Sequence, residues 1–105
     1  MLVAIASNEN HLKGIVDPHF GRCDWYCIYN TNSGEKEFIE NPARYLEEGA
    51  GCQSAEMLVK QNIKMVVAGR FGSKVVEIFK TNNIQMVIPS NETILENILN
   101  QFKNK

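Results

Sequence analysis

At 105 residues, with 44% hydrophobic side chains and a formal net charge of −1, the chain has the size of one domain able to bury roughly two thirds of the surface its unfolded form exposes. Its Lys and Arg residues are scattered among acids, so no basic stripe is available to neutralise a phosphate backbone, and nucleic acid is excluded as an expected partner. Three cysteines, an odd number without the density of a disulfide scaffold, fit free thiols in a reducing, cytoplasmic setting.

The apolar run Leu2–Ala6 lacks alternation, as expected of a central strand covered on both faces. It has no charged n-region before it and stops at Ser7-Asn8-Glu9-Asn10, so we expect neither a signal peptide nor a membrane span. From Ser7 to about Cys23 no period is visible, and a loop of this length in a compact domain points to function. Within it, Asp17-Pro18 disfavours helix and Gly21 permits a turn or a close backbone approach. With few apolar anchors beyond Ile15, Val16 and Phe20, it is expected to be the most mobile internal segment when no ligand is bound.

Trp25–Tyr29 reads as a strand, Asn30–Gly34 as a turn, and Glu35–Glu40 as a more polar strand suited to a sheet edge. After Asn41-Pro42 and the polar run Ala43–Glu48, Gly49-Ala50-Gly51 leads into a helix whose apolar stripe is Cys52, Ala55, Leu58, Val59 and Ile63. Lys64–Ala68 is a further strand, Gly69-Arg70-Phe71-Gly72-Ser73 a glycine-rich turn, and Val75, Val76, Ile78 and Phe79 mark a second helix. Ile84–Ile88 is the last strand; Ser90 or Asn91 is placed to cap a final helix with the stripe Ile94, Leu95, Ile98, Leu99 and Phe102. No internal repeat is visible, nor a low-complexity tail beyond Lys103-Asn104-Lys105. This order predicts an α/β fold: a mixed sheet with parallel crossovers and helices on its faces.

In such sheets ligands gather outside the carboxyl ends of the strands. The loops holding Asp17, His19, Arg22 and Cys23, the Gly49–Gly51 turn and the Gly69–Ser73 turn all qualify, and a glycine-rich helix start exposes amides beside the positive end of the helix dipole. Neither turn has a dinucleotide-binding glycine pattern or a Walker lysine, and tight turns explain the glycines without a ligand. His19, Cys23 and Cys27 are spaced for one helix face, but Pro18 and Gly21 oppose a helix. As strand residues, Cys23 and Cys27 stand roughly 13 Å apart, too far to share one metal, so Cys27 reads as structural.

Val3-Ala4-Ile5-Ala6-Ser7, His19-Phe20-Gly21-Arg22-Cys23, Asn41-Pro42-Ala43, Gly49-Ala50-Gly51 and Val66-Val67-Ala68-Gly69 followed by Gly72 together resemble the dinitrogenase iron-molybdenum cofactor biosynthesis family over nearly the whole chain. The resemblance implies a ribonuclease H-like fold of three layers, a five-stranded mixed sheet with an antiparallel second strand and helices on both faces. Ribonuclease activity is not implied, because the first strand carries no carboxylate for a two-metal site. It implies instead a carrier that binds an iron-sulfur or iron-molybdenum type cluster without catalysis and exchanges it with donor or acceptor proteins.

On that basis His19 and Cys23 are the expected primary ligands, with Arg22 lowering the Cys23 pKa and offsetting cluster charge. Gly49, Gly51, Cys52 and Arg70 are expected to contribute from the neighbouring turns, Cys52 lying in the first turn of its helix where the dipole stabilises a thiolate. Bland readings stand beside these: an imidazole bonding a backbone carbonyl, a cysteine packed as a small core residue, an arginine pointing into water. Two other readings remain open, a metal-free regulatory or scaffold domain binding another protein through the same loops, and an enzyme using Cys23 as nucleophile and His19 as base. The last lacks an acid orienter or an oxyanion motif.

Overall fold

A computed structural model of the protein describes residues 1–103, so the last two residues of the Lys103-Asn104-Lys105 tail lie outside the described residues. The elements are β1 (Leu2–Ser7), β2 (Trp25–Asn30), β3 (Lys36–Glu40), α1 (Ala50–Lys60), β4 (Ile63–Val67), α2 (Ser73–Thr81), β5 (Gln85–Val87) and α3 (Leu95–Lys103). The five strands form one sheet in the order β3-β2-β1-β4-β5. β2 runs antiparallel to both its neighbours, whereas β1, β4 and β5 are mutually parallel. This is the mixed, ribonuclease H-like sheet expected above.

Alternation along the strands sorts side chains onto two faces. Ala4, Ala6, Tyr26, Val66 and Ala68 face Ala55, Leu58, Val75 and Phe79 of α1 and α2. Val3, Ile5, Cys27, Tyr29 and Val67 face Leu95, Ile98 and Leu99 of α3. β1 is therefore apolar at every interior position because it is covered from both sides. β3 closes one edge with Lys36, Glu37 and Glu40 exposed, charges that discourage further strand pairing.

The boundaries differ from the periodic reading in three places. Ile63, in phase with the α1 stripe, instead opens β4: the helix ends at Lys60 and Asn62, at φ 62°, turns the chain out of it. The polar run after β3 contains a 3-10 turn, Pro42–Tyr45, started by Asn41, whose side chain accepts from the Ala43 amide. Neither Ser90 nor Asn91 caps the last helix. Thr93 Oγ1 donates to Ser90 O at 2.5 Å, and the first α3 amides, Leu95 and Glu96, donate to Gly14 O and Leu12 O at 3.0 Å each.

The long β1–β2 connection is also more structured than its composition predicts. Single bridges pair Val16 with Ser7 and Ile15 with Ile94. Lys13 Nζ lies 2.7 Å from Glu96 Oε1. The expectation of mobility along its whole length therefore narrows to its outer, solvated turn, since Val16 and Phe20 are buried.

Candidate binding site at the carboxyl edge of the sheet

Because β3 is parallel to β1, the chain leaves β1, β3, β4 and β5 at the same edge of the sheet, and four loops meet there. The loop after β1 crosses this edge from one face to the other. Val16 belongs to the core under α3, whereas Phe20 belongs to the core under α1 and α2. At the crossing, the Asp17 amide donates to Ala6 O at 2.8 Å and its carbonyl accepts from the Gly69 amide at 3.0 Å, which inserts Asp17 between the ends of β1 and β4. Only Pro18 and His19 stay exposed between the two anchors.

Phe20 fixes the far side. Its ring centroid lies 5.6 Å from Tyr26, 5.5 Å from Phe71 and 5.3 Å from Phe79, tilted or edge-on geometries that aromatic quadrupoles favour. Its amide donates to Arg70 O at 3.3 Å. Two glycines permit the tight junction. A Cβ on Gly69 would lie 2.4 Å from Pro18 Cα, and one on Gly21, at φ +94°, would lie 2.6 Å from Gly51 Cα. Of the glycines that read as candidate anion cradles, Gly69 is thus required by backbone contact between loops, whereas a Cβ on Gly51 would meet the Val75 side chain at 2.9 Å.

His19 lies at the seam of these contacts. Its imidazole is half-exposed, with Nδ1 3.7 Å from Asp17 Oδ1, and its amide donates to that same oxygen at 2.8 Å. At 3.7 Å the ring and the carboxylate are beyond hydrogen-bond distance, and the exposed imidazole can present a nitrogen to a ligand. One residue beyond Gly51, Cys52 is half-buried in the first turn of α1, and Arg70 is exposed beside Phe20. α1 begins at Gly49 and α2 at Gly72, neither with a capping side chain, so both present first-turn amides toward the same edge. A cleft of about 500 Å³ lies alongside, lined by Pro18, Gly69, Pro89 and Asn91.

Arg22 and Cys23 are not part of this surface. Arg22 bonds backbone carbonyls of the segment after β3, Leu46 O, Glu47 O at 3.0 Å and Arg44 O at 3.4 Å. The expectation that it lowers the Cys23 pKa is therefore corrected. Burial, the largest influence, pushes the Cys23 thiol from 9.0 up to about 11, and Cys23 is fully buried beneath Gly21 among the α1/α2-side core residues. Cys27, read as structural, is buried on the opposite face, also with its thiol pushed up to about 11 by burial. His11 pairs with Glu9 at 2.6 Å. Among the described residues no three His, Cys, Asp or Glu side chains converge to hold a metal ion.

Asn41 is the organising residue that the site reasoning missed. Fully buried, it donates through Nδ2 to Gly21 O at 2.9 Å and Cys23 O at 3.0 Å, while Oδ1 accepts from the Ala43 amide at 3.1 Å and Ser54 Oγ at 3.0 Å. It ties the His19 loop, the 3-10 turn and α1 together at one point. The available signal was Asn-Pro directly after a strand, where an Asn side chain can bond backbone on both sides.

These features define an α/β domain with a loop-built surface at one sheet edge and few fixed ligands. The model of the dinitrogenase iron-molybdenum cofactor family matches residues 1–105, and the chain belongs to this family. An uncharacterised protein of Methanocaldococcus jannaschii is 31% identical over 105 residues, covering 97% of this chain and 85% of that one. The apo form of the orange protein from Desulfovibrio gigas superposes with a TM-score of 0.89 at 23% identity, over 98% of this chain and 87% of that one. A NifB candidate from Thermotoga superposes with a TM-score of 0.81 at 24% identity, with coverage of 98% and 87%. At these identities the two structures carry the fold alone. No helix among the described residues is long and apolar enough to cross a membrane.

Proposed function

We propose that the protein binds and carries an anionic metallocluster, of iron-sulfur or iron-molybdenum type, between donor and acceptor proteins in the cytoplasm, and catalyses no reaction of its own. Membership of the cofactor family supports the class of cargo. The observation that carries the reading is the placement of His19, half-exposed where the loop after β1 touches both the start of α1 and the loop before α2.

The donor set fits a cargo held for release. The His19 imidazole and the Cys52 thiol are the accessible soft or borderline donors, and Arg70 with the open amides of two helix starts complements negative charge. Two protein donors leave cluster positions free for exchange, whereas a full cysteine set would retain the cargo. Cys23 joins the ligands only when the loop around it opens, because its thiol is buried and protonated in the core.

Anaerobic reconstitution with iron and sulfide tests this. His19→Ala and Cys52→Ser should each lower bound iron and visible absorption at unchanged circular dichroism. Wild-type iron content in both variants would overturn the site assignment. A second reading, a metal-free regulatory domain that binds another protein through the same loops, is favoured by the burial of Cys23, and it becomes the better one if the wild type takes up no cluster.

A further inference from the structure

The first turn of an α-helix has amides without intrahelical partners, and a side chain usually satisfies some of them. In α3 two of them are satisfied by the backbone of the loop after β1: Leu95 N donates to Gly14 O and Glu96 N to Leu12 O, both at 3.0 Å. The exchange is mutual, since the Val16 amide donates to Thr93 O at 2.9 Å and Ile15 bridges Ile94. Lys13 and Glu96 add an exposed ion pair over the same junction. Val16 and Leu95 share one buried cluster.

Three residues further on, the same loop presents His19. Between Val16 and His19 the chain is held by Asp17, wedged between Ala6 O and the Gly69 amide, and by Pro18, packed against Gly69. Backbone displacement at Asp17 or Pro18 therefore pulls directly on the carbonyls that cap α3. Undocking of α3 together with Thr93 and Ile94, which lead into it, in turn removes the acceptor of the Val16 amide and the apolar partner of its side chain.

We infer that residues 12–19 form a strap that couples the His19 surface to α3, so that the loop opens at His19 as one cooperative unit with the first turn of α3. The strap makes α3, on the opposite face from α1 and α2, the element that responds when the site is occupied or emptied. That consequence rests on the carrier reading, whereas the coupling belongs to the apo protein and is testable there without any cargo.

Amide hydrogen exchange of apo protein reads the coupling from both ends. Phe102→Leu loosens the last turn of α3, where the Phe102 ring packs 5.9 Å from Tyr29, at the other end of the helix from Leu95 and Glu96. Leu95, Glu96 and Val16 should then exchange faster by one common factor of several-fold relative to Val66, the internal reference for global unfolding. Gly14→Ala perturbs the strap from its outer side, since the atoms nearest the new Cβ would be His11 O and Ser7 Oγ at 3.1 Å and Glu9 Cβ at 3.2 Å. Leu95, Glu96 and Ile98 should speed up several-fold while Val76 in α2 keeps its rate. Unchanged Val16 in Phe102→Leu, or unchanged α3 amides in Gly14→Ala, overturns the inference even if cluster loading succeeds. Failure of cluster loading with coupled exchange overturns the carrier reading and leaves the strap standing.

Discussion

Gly21 and Gly51 meet backbone to backbone, so closely that a Cβ on Gly21 would stand 2.6 Å from Gly51 Cα and 2.8 Å from Gly51 N. This contact joins the His19 loop to the start of α1. Gly21→Ala forces the two segments apart and also strains a residue held at φ +94°. We expect a loss of about 2–4 kcal/mol by urea denaturation, since a clash against backbone adds to the conformational cost. Gly34→Ala is the control, at φ +79° with nothing within 4 Å, and should lose only about 1–2 kcal/mol.

Phe20→Ala removes the ring that meets Tyr26, Phe71 and Phe79. Transfer and cavity costs for a buried Phe predict a loss of about 3–5 kcal/mol. Phe20→Leu should recover more than half of that. Thermal denaturation of the two variants decides, and equal melting temperatures would show that refilling the volume recovers nothing and that the ring contacts of Phe20 carry the loss.

Asn41→Ala leaves Gly21 O, Cys23 O, the Ala43 amide and Ser54 Oγ without the partner each now has. Stranding buried polar groups costs ~1–3 kcal/mol each before relaxation, so a net loss of ~3 kcal/mol is expected. Asn41→Asp keeps an acceptor for Ala43 and Ser54 but places a carboxylate against two carbonyl oxygens. It should be no more stable than the alanine variant at pH 7, and a stability near wild type would contradict the assigned donors.

Thiol chemistry should divide the cysteines. Cys23 and Cys27 are buried with pKa values pushed up to about 11, while Cys52 is half-buried at a helix start. A disulfide reagent at neutral pH should modify one thiol rapidly and two only as fast as the protein unfolds, and Cys52→Ser should abolish the rapid phase. Rapid labelling of Cys23 would mean that the loop burying it opens readily.

The same burial makes stability depend on alkaline pH. Folding holds the Cys23 thiol protonated from its ordinary 9.0 up to about 11, so its contribution is fully present below pH 9 and is lost as pH rises to about 11. Two pKa units correspond to ~2.7 kcal/mol from this group. Cys27 acts in the same direction, as does Tyr26, whose hydroxyl burial pushes upward most of all. Urea midpoints between pH 8 and pH 11 should fall steadily, and Cys23→Ala should flatten the fall.

The sequence by itself determined the order of elements, because unbroken apolar runs at β1 and β4 and helical stripes at α1, α2 and α3 state which surfaces must be buried. It also determined the edge at which the loops carrying the candidate residues gather, since parallel crossovers send those loops to the carboxyl ends of the strands. What only the tertiary structure decided is which loop residues face water. His19, Arg22 and Cys23 lie within five residues, yet the imidazole is exposed, the guanidinium clamps carbonyls of the Arg44–Glu47 segment, and the thiol lies in the core. No periodicity governs an irregular segment, so the direction of each side chain follows from partners distant in sequence. Asn41 holds the carbonyls of Gly21 and Cys23, Arg70 O accepts the Phe20 amide, and Thr93 O, just before α3, accepts the Val16 amide. Ile63 shows the same limit at a boundary. Helical spacing put it in α1, but pairing with Leu2 of β1 outweighs a period that Asn62 had already broken.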